Sequence, residues 1–181
     1  MKATGIVRRI DDLGRVVIPK EIRRTLRLDE GAPLEIYTDR EGSIILKKYS
    51  PVAELGSFAG RYAEALASGG YIACITDRSS VIASAGGSRK ELQGKALSPA
   101  LEEKLRSREV HTAAHGERGF VPPVEAEDMP YSAETIAPII SGGDVIGSVL
   151  LLSKERGRRM GDTEKKLAAT AAGFLGKQME L

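Results

Sequence analysis

Residues 4–28 read TGIVRRIDDLGRVVIPKEIRRTLRL, and no other stretch of the chain constrains the architecture as tightly. Residues 5–10 are strand-like, Asp11-Asp-Leu-Gly14 supplies turn residues, and residues 15–18 are strand-like again, which predicts a hairpin. Pro19 suits the first turn of a helix, where its missing N–H leaves no bond unmade. In that helix Ile22 and Leu26 share a face at i, i+4, while Lys20, Arg23, Arg24 and Arg27 gather opposite. Glu30-Gly-Ala-Pro33 stops it. A second hairpin follows, with strands at 34–37 and 44–46 around Asp39-Arg-Glu-Gly42.

About fifty residues of this kind cannot bury much apolar surface, and units so small rely on a disulfide, a metal or a second subunit. Cys74 is the sole cysteine, and two histidines make a poor zinc set, so no metal is expected. Two interlocked copies are the expected solution, with Ile6, Val16, Ile18, Ile22 and Leu26 as the dimer core.

Charge points the same segment toward a polyanion. Residues 1–27 carry eight basic side chains against three acidic ones, whereas residues 51–181 carry 16 against 17. Positive charge gathered at one end of an otherwise balanced chain is the pattern of a nucleic-acid module joined to a neutral partner domain. The basic stretch contains no aromatic side chain, which favours duplex DNA over stacking on single-stranded bases. Among all 181 residues no run approaches the ~20 apolar positions of a membrane span. The N-terminus reaches charge before any signal-like apolar run, so the expected location is the cytoplasm.

Ser50-Pro51 opens a second domain, taken as residues 56–181 after a first domain of residues 1–50. Val52, Leu55, Phe58 or Ala59, Tyr62 and Leu66 recur at helical spacing until Gly69-Gly70. Strand-like runs at 71–76 and 81–85 come next, then a helix near 99–108, a strand near 110–113 and a long surface loop over 115–132. A hairpin turns at Ser141-Gly-Gly-Asp144, and Asp162 is placed to cap a final helix carrying Leu167, Ala171, Phe174 or Leu175 and Met179. The order gives an α+β domain with an antiparallel sheet and flanking helices. Alanines beside both apolar stripes permit close helix packing across subunits. The other reading, in which each helix covers its own sheet, stays open.

Catalytic patterns are missing: no phosphate-binding G-x-x-x-x-G-K-[ST], no H-E-x-x-H and no G-x-S-x-G occurs, so no enzyme is expected. His111 and His115 straddle a strand end without partner ligands. Cys74 lies in an apolar strand and reads as core. Gly142, Gly143 and Gly147 belong to a hairpin rather than a phosphate loop.

The run at 4–28, followed by LEIYTDREGSIILKKY at 34–49, resembles the DNA-binding domain of AbrB-type transition-state regulators over essentially all of residues 1–50. That resemblance implies a swapped-hairpin, barrel-like dimer and duplex DNA as partner. It further implies DNA contacts through Arg8, Arg15, Arg23 and Arg24, with Arg9 at a position that is also basic in the family. Arginine suits the role because its planar fork donates bidentately to phosphate or a guanine edge.

The chain as a whole resembles sporulation regulators that join such a domain to a GAF-like one. This implies a transcriptional regulator of late sporulation genes, acting as activator, repressor or both, whose GAF-like helices tie dimers into a tetramer. No cysteine or histidine stands where a bilin or haem would need it, and the cyclic-nucleotide signature is absent. No cofactor is therefore expected, and an unidentified small-molecule ligand stays open. Two alternatives remain: an antitoxin-like DNA-binding protein, and a small-molecule sensor that does not bind DNA.

Overall fold

The computed structural model describes residues 5–28, 30–87, 89–125 and 130–180, which fall into two compact units, residues 1–49 and 50–181. In the first unit a short helix α1 (Lys20–Thr25) precedes an antiparallel hairpin of β1 (Leu34–Thr38) and β2 (Ile44–Lys48), paired from Leu34↔Lys48 to Thr38↔Ile44. Asp39 closes that turn by accepting at Oδ1 from the N–H groups of Glu41 and Ser43 at 2.9 and 2.8 Å. Pro19 is the N-cap of α1 rather than its first helical residue.

The first hairpin expected from the sequence is corrected. Its turn forms, with Gly14 N–H donating to the Asp11 carbonyl at 3.0 Å, but residues 5–10 and 15–18 lie outside any ladder. A lone two-stranded ribbon is marginal in water, and no described residue of these arms is buried. No described residue from 5 to 49 is buried. Val7, Val17 and Leu13 expose 84%, 70% and 69% of their surface. The five residues expected to form a dimer core, Ile6, Val16, Ile18, Ile22 and Leu26, all line one groove of about 550 Å³.

The second unit is a five-stranded antiparallel sheet between two layers. Its strands are β3 (Ile72–Asp77), β4 (Val81–Ala85), β5 (His111–Ala114), β6 (Ala133–Ser141) and β7 (Asp144–Ser153), in the order β4-β3-β7-β6-β5. Alternate residues face opposite sides. Ala73, Ile75, Ala137, Ile139, Val149 and Leu151 pack under α2 (Pro51–Glu54), α3 (Ser57–Ala67) and α6 (Asp162–Gln178). Ile72, Cys74, Ile136, Leu150 and Leu152 pack against Leu92 of α4 (Arg89–Leu92) and against Leu97 and Val124. Leu101 and Leu105 of α5 (Pro99–Leu105) complete that layer. Burial on both faces accounts for the unbroken apolar run of β7.

Local chemistry sets the boundaries. Ser50 and Ser98, each followed by proline, accept at Oγ from Ala53 and Leu101 N–H at 3.2 and 3.0 Å. Gly142 and Gly143 have φ of +56° and +84°, which makes the β6–β7 link a two-residue hairpin turn. At Gly176 a Cβ would stand 2.1 Å from the Ile140 carbonyl oxygen, so only glycine lets α6 seat on β6.

Four expectations change. The single helix read over 52–66 is broken at Gly56, whose φ of +48° separates α2 from α3. Helix α4 was not foreseen. Residues 120–125 of the expected surface loop instead close the second face: Ser98 N–H donates to the Pro123 carbonyl at 3.2 Å, and Val124 is buried. Residues 126–129 of that loop lie outside the described residues. Gly161, not Asp162, is the N-cap of α6, and its N–H donates to Glu164 Oε2 at 2.8 Å.

Candidate nucleic-acid interface

The cations of the first unit are presented by a turn and a helix end. Asp11 organises the turn, accepting at Oδ1 from the N–H groups of Arg15 and Leu13 at 2.7 and 3.1 Å. At Oδ2 it accepts from Arg15 Nε at 2.8 Å. The Arg15 N–H, and then its side chain, hold this carboxyl below its ordinary value, so it remains ionised beside the guanidinium. Arg15 keeps 70% of its side chain exposed, leaving its terminal N–H groups pointed at solvent. Asp11 was missed as a functional residue, although an aspartate opening a turn four residues before an arginine is a legible Asx signal.

Arg8 donates to the Val7 carbonyl at 3.1 Å, and Arg8, Arg9 and Arg24 are exposed. Arg8 also lines the apolar groove, beside Val16 and Ile18. Arg23 differs from the other four. It is half-buried, and its Nε is closed off from solvent without a hydrogen-bond partner among the described residues. Helix α1 ends where Leu28 N–H reaches the Arg23 carbonyl at 2.7 Å, with Arg27 in the left-handed region at φ +50°. Glycine ordinarily takes that position. Basic residues in the last turn of α1 also suit the negative end of its dipole.

Cys74 is fully buried, and burial pushes its thiol up to about 12, too high for a thiolate nucleophile. His111 Nε2 lies 2.8 Å from the Gly119 carbonyl oxygen, and burial lowers its pKa, while the His115 ring rests against Phe120. Among the described residues no three His, Cys, Asp or Glu side chains cluster to hold a metal. None of the described helices is long and apolar enough to cross a membrane.

The alanine stripes of the helices bounding this unit lie against their own sheet. Ala168, Ala171, Ala172 and Leu175 of α6 are buried on their own sheet, together with Ala59 and Ala63 of α3. Beside them lies an aromatic cluster: half-buried Phe58 and Tyr62 of α3 stack on each other with centroids 5.8 Å apart, and Tyr62 stacks on the exposed Phe174 of α6 at 5.6 Å. Phe174 and Leu167 are 42% and 36% exposed.

Comparison with known proteins adds three findings. The family model described as stage V sporulation protein T C-terminal, transcription factor, matches residues 54–180, and that described as antidote-toxin recognition MazE, bacterial antitoxin, matches residues 7–54. The chain is 51% identical over 181 residues to stage V sporulation protein T of Bacillus subtilis (strain 168), covering 99% of each. It is also 67% identical over 51 residues to the transition state regulatory protein AbrB of the same organism, covering 28% of this chain and 52% of that one. Among solved structures, the GAF domain of a phosphoenolpyruvate-protein phosphotransferase from Coxiella burnetii superposes with a TM-score of 0.52 at 17% identity. That match spans 72% of this chain and 82% of the other, and establishes a GAF fold.

Proposed function

Because the chain belongs to the stage V sporulation protein T family, we propose that it is a DNA-binding transcriptional regulator of sporulation. Residues 1–50 interlock with a second copy, and the dimer grips duplex DNA through Arg8, Arg9, Arg15, Arg23 and Arg24. The observation that carries this reading is a unit in which no described residue is buried, whose apolar side chains line an open groove while most of its arginines face outward. A second copy laid into the groove would bury the apolar set and bring two sets of arginines onto one assembly. Arg23, whose Nε has no hydrogen-bond partner among the described residues, is the arginine to which a second chain could supply one.

Residues 56–181 act as a GAF-like assembly module. The aromatic ridge of Phe58, Tyr62 and Phe174 supports pairing of DNA-binding dimers into a tetramer, which would raise apparent affinity at paired sites ~10²–10⁴-fold without new DNA contacts. No catalytic step is assigned. The antitoxin reading draws on the match over residues 7–54. Such proteins carry a short toxin-binding tail, whereas residues 50–181 here enclose apolar clusters on both faces of a sheet.

Titrating a labelled duplex and its single strand, with fluorescence anisotropy as the readout, tests the function. The duplex should bind more tightly, and the triple variant Arg8→Ala, Arg15→Ala, Arg24→Ala should lose that binding while keeping its circular dichroism spectrum. Equal binding by the variant and the parent chain would refute the assignment.

A further inference from the structure

At one end of the GAF-like sheet, the last residues of β5 and β7 and the first of β6 come into line through the pairs Ala114↔Ala133 and Ala133↔Ser153. The segment leaving β7 reads Lys154-Glu-Arg-Gly-Arg-Arg159, four cations in six residues. Together with His115, Tyr131 and Ser132, those four cations line a cleft of about 720 Å³. No carboxylate is among its described lining residues. We propose that this cleft is a binding site for a small molecule bearing a di- or triphosphate group.

Three features support a built site rather than a solvated basic loop. First, the base of the loop is fixed. Ser132 Oγ donates to the carbonyls of Ser153 and Glu155 at 3.1 and 2.5 Å, and Glu155 N–H donates to Ser153 Oγ at 3.1 Å. Second, Arg158 is held in place. It lies over the Tyr71 ring at 4.7 Å from the centroid, donates to the Gly70 carbonyl at 3.3 Å, and keeps only 26% of its side chain exposed. A guanidinium fixed before binding loses little entropy when an anion arrives.

Third, three of the four cations are paired from the cleft's surroundings, the two arginines at the longer distances. Lys154 meets Glu91 at 2.9 Å, Arg158 meets Glu155 at 3.4 Å, and Arg159 meets Glu117 at 3.6 Å with 81% of the arginine exposed. Arg156 makes no hydrogen bond or ion pair with a described residue. Several charges converging on one hollow match a chain of phosphates, to which arginine forks donate bidentately. The volume lies within the range of small-molecule sites, and Pro130, Ala114 and the Tyr131 ring offer apolar surface for an organic body. A duplex would instead call for cations spread along an extended stripe.

Calorimetric titration of the full chain with inorganic tripolyphosphate at fixed ionic strength provides the test, with sulfate as the comparison. One saturable site per chain is expected, absent with sulfate. Arg156→Ala/Arg159→Ala should weaken it at least ~10-fold, the equivalent of losing one charge-assisted bond. Arg15→Ala/Arg24→Ala, which alters the DNA-binding arginines, should leave it intact. Arg156→Ala alone should weaken binding in the same direction, and it removes no contact with the described fold. The proposal is overturned if no saturable site appears, or if sulfate binds equally. It also falls if the Arg15/Arg24 variant, not the Arg156/Arg159 variant, loses the site. Unchanged tripolyphosphate binding with weakened duplex binding in Arg156→Ala/Arg159→Ala would make the cleft a DNA contact and overturn it too.

Discussion

Glu134 sits in the middle layer of the GAF-like unit with 1% of its surface exposed. Its Oε1 accepts from Val121 N–H at 2.8 Å, tying residues 120–125 to β6. Burial pushes its carboxyl from 4.5 up to about 8, against the opposing pull of that bond and of the Lys104 charge. At neutral pH the folded chain therefore keeps a proton that the unfolded chain has released. Because the unfolded state binds fewer protons in this window, stability falls as pH rises, by about 1.4 kcal/mol per pH unit. From about pH 5.5 to about pH 7.5, Glu134 alone should remove about 2–3 kcal/mol. Glu134→Gln keeps an oxygen for the Val121 N–H but has no proton to lose. Urea unfolding of both proteins, followed by circular dichroism at several pH values, isolates the effect as the difference between their stabilities. That difference should grow in favour of Glu134→Gln by about 2–3 kcal/mol across the window, at unchanged slope on denaturant. A constant difference would refute the reasoning. So would a variant that loses ground as pH rises, since Glu134 would then be an ionised partner of Lys104.

Gly176→Ala should destabilise the second unit by about 1–3 kcal/mol, seen as a lower melting temperature, because its methyl would press on the Ile140 carbonyl. Leu167→Glu/Phe174→Glu places charge on the exposed ridge rather than in the core, so it should convert a tetramer into a dimer by light scattering with the fold retained. On dilution of the full chain, amide protection in β1 and β2 should fall with concentration while protection in β3, β6 and β7 holds, because only the first unit lacks a core of its own.

Much of this was readable from residue types alone. Ser50-Pro51 marked a helix start, Ser141-Gly-Gly-Asp144 a tight hairpin, and the poverty of apolar residues in the first fifty an incomplete core. What escaped has a physical cause in each case. Helical periodicity runs through Gly56 because the apolar spacing on either side keeps phase, although the backbone there turns left-handed. Residues 5–10 and 15–18 have strand composition but join no ladder among the described residues, and composition cannot say which chain supplies a neighbouring strand. Val121 and Val124 sit amid Gly, Pro and charge, so their packing under α5 was hidden by their neighbours. Glu134 looked like an ordinary polar position in a strand, since nothing local reveals a face covered by a distant segment. The arginines were legible as a set, but the half-burial of Arg23 and the Asp11–Arg15 pair required the fold.

The central claim, that arginines of an interlocked N-terminal dimer hold duplex DNA by its phosphates, predicts a countable quantity: the slope of log affinity against log salt. Each phosphate contact contributes ~0.9 to that slope, so Arg15→Ala, which removes one arginine from each of two chains, should flatten it by about two. Arg24→Ala should do the same, and affinity should drop for every duplex sequence tried. Slopes and affinities identical to the parent chain for both variants, with the dimer intact, would contradict the account.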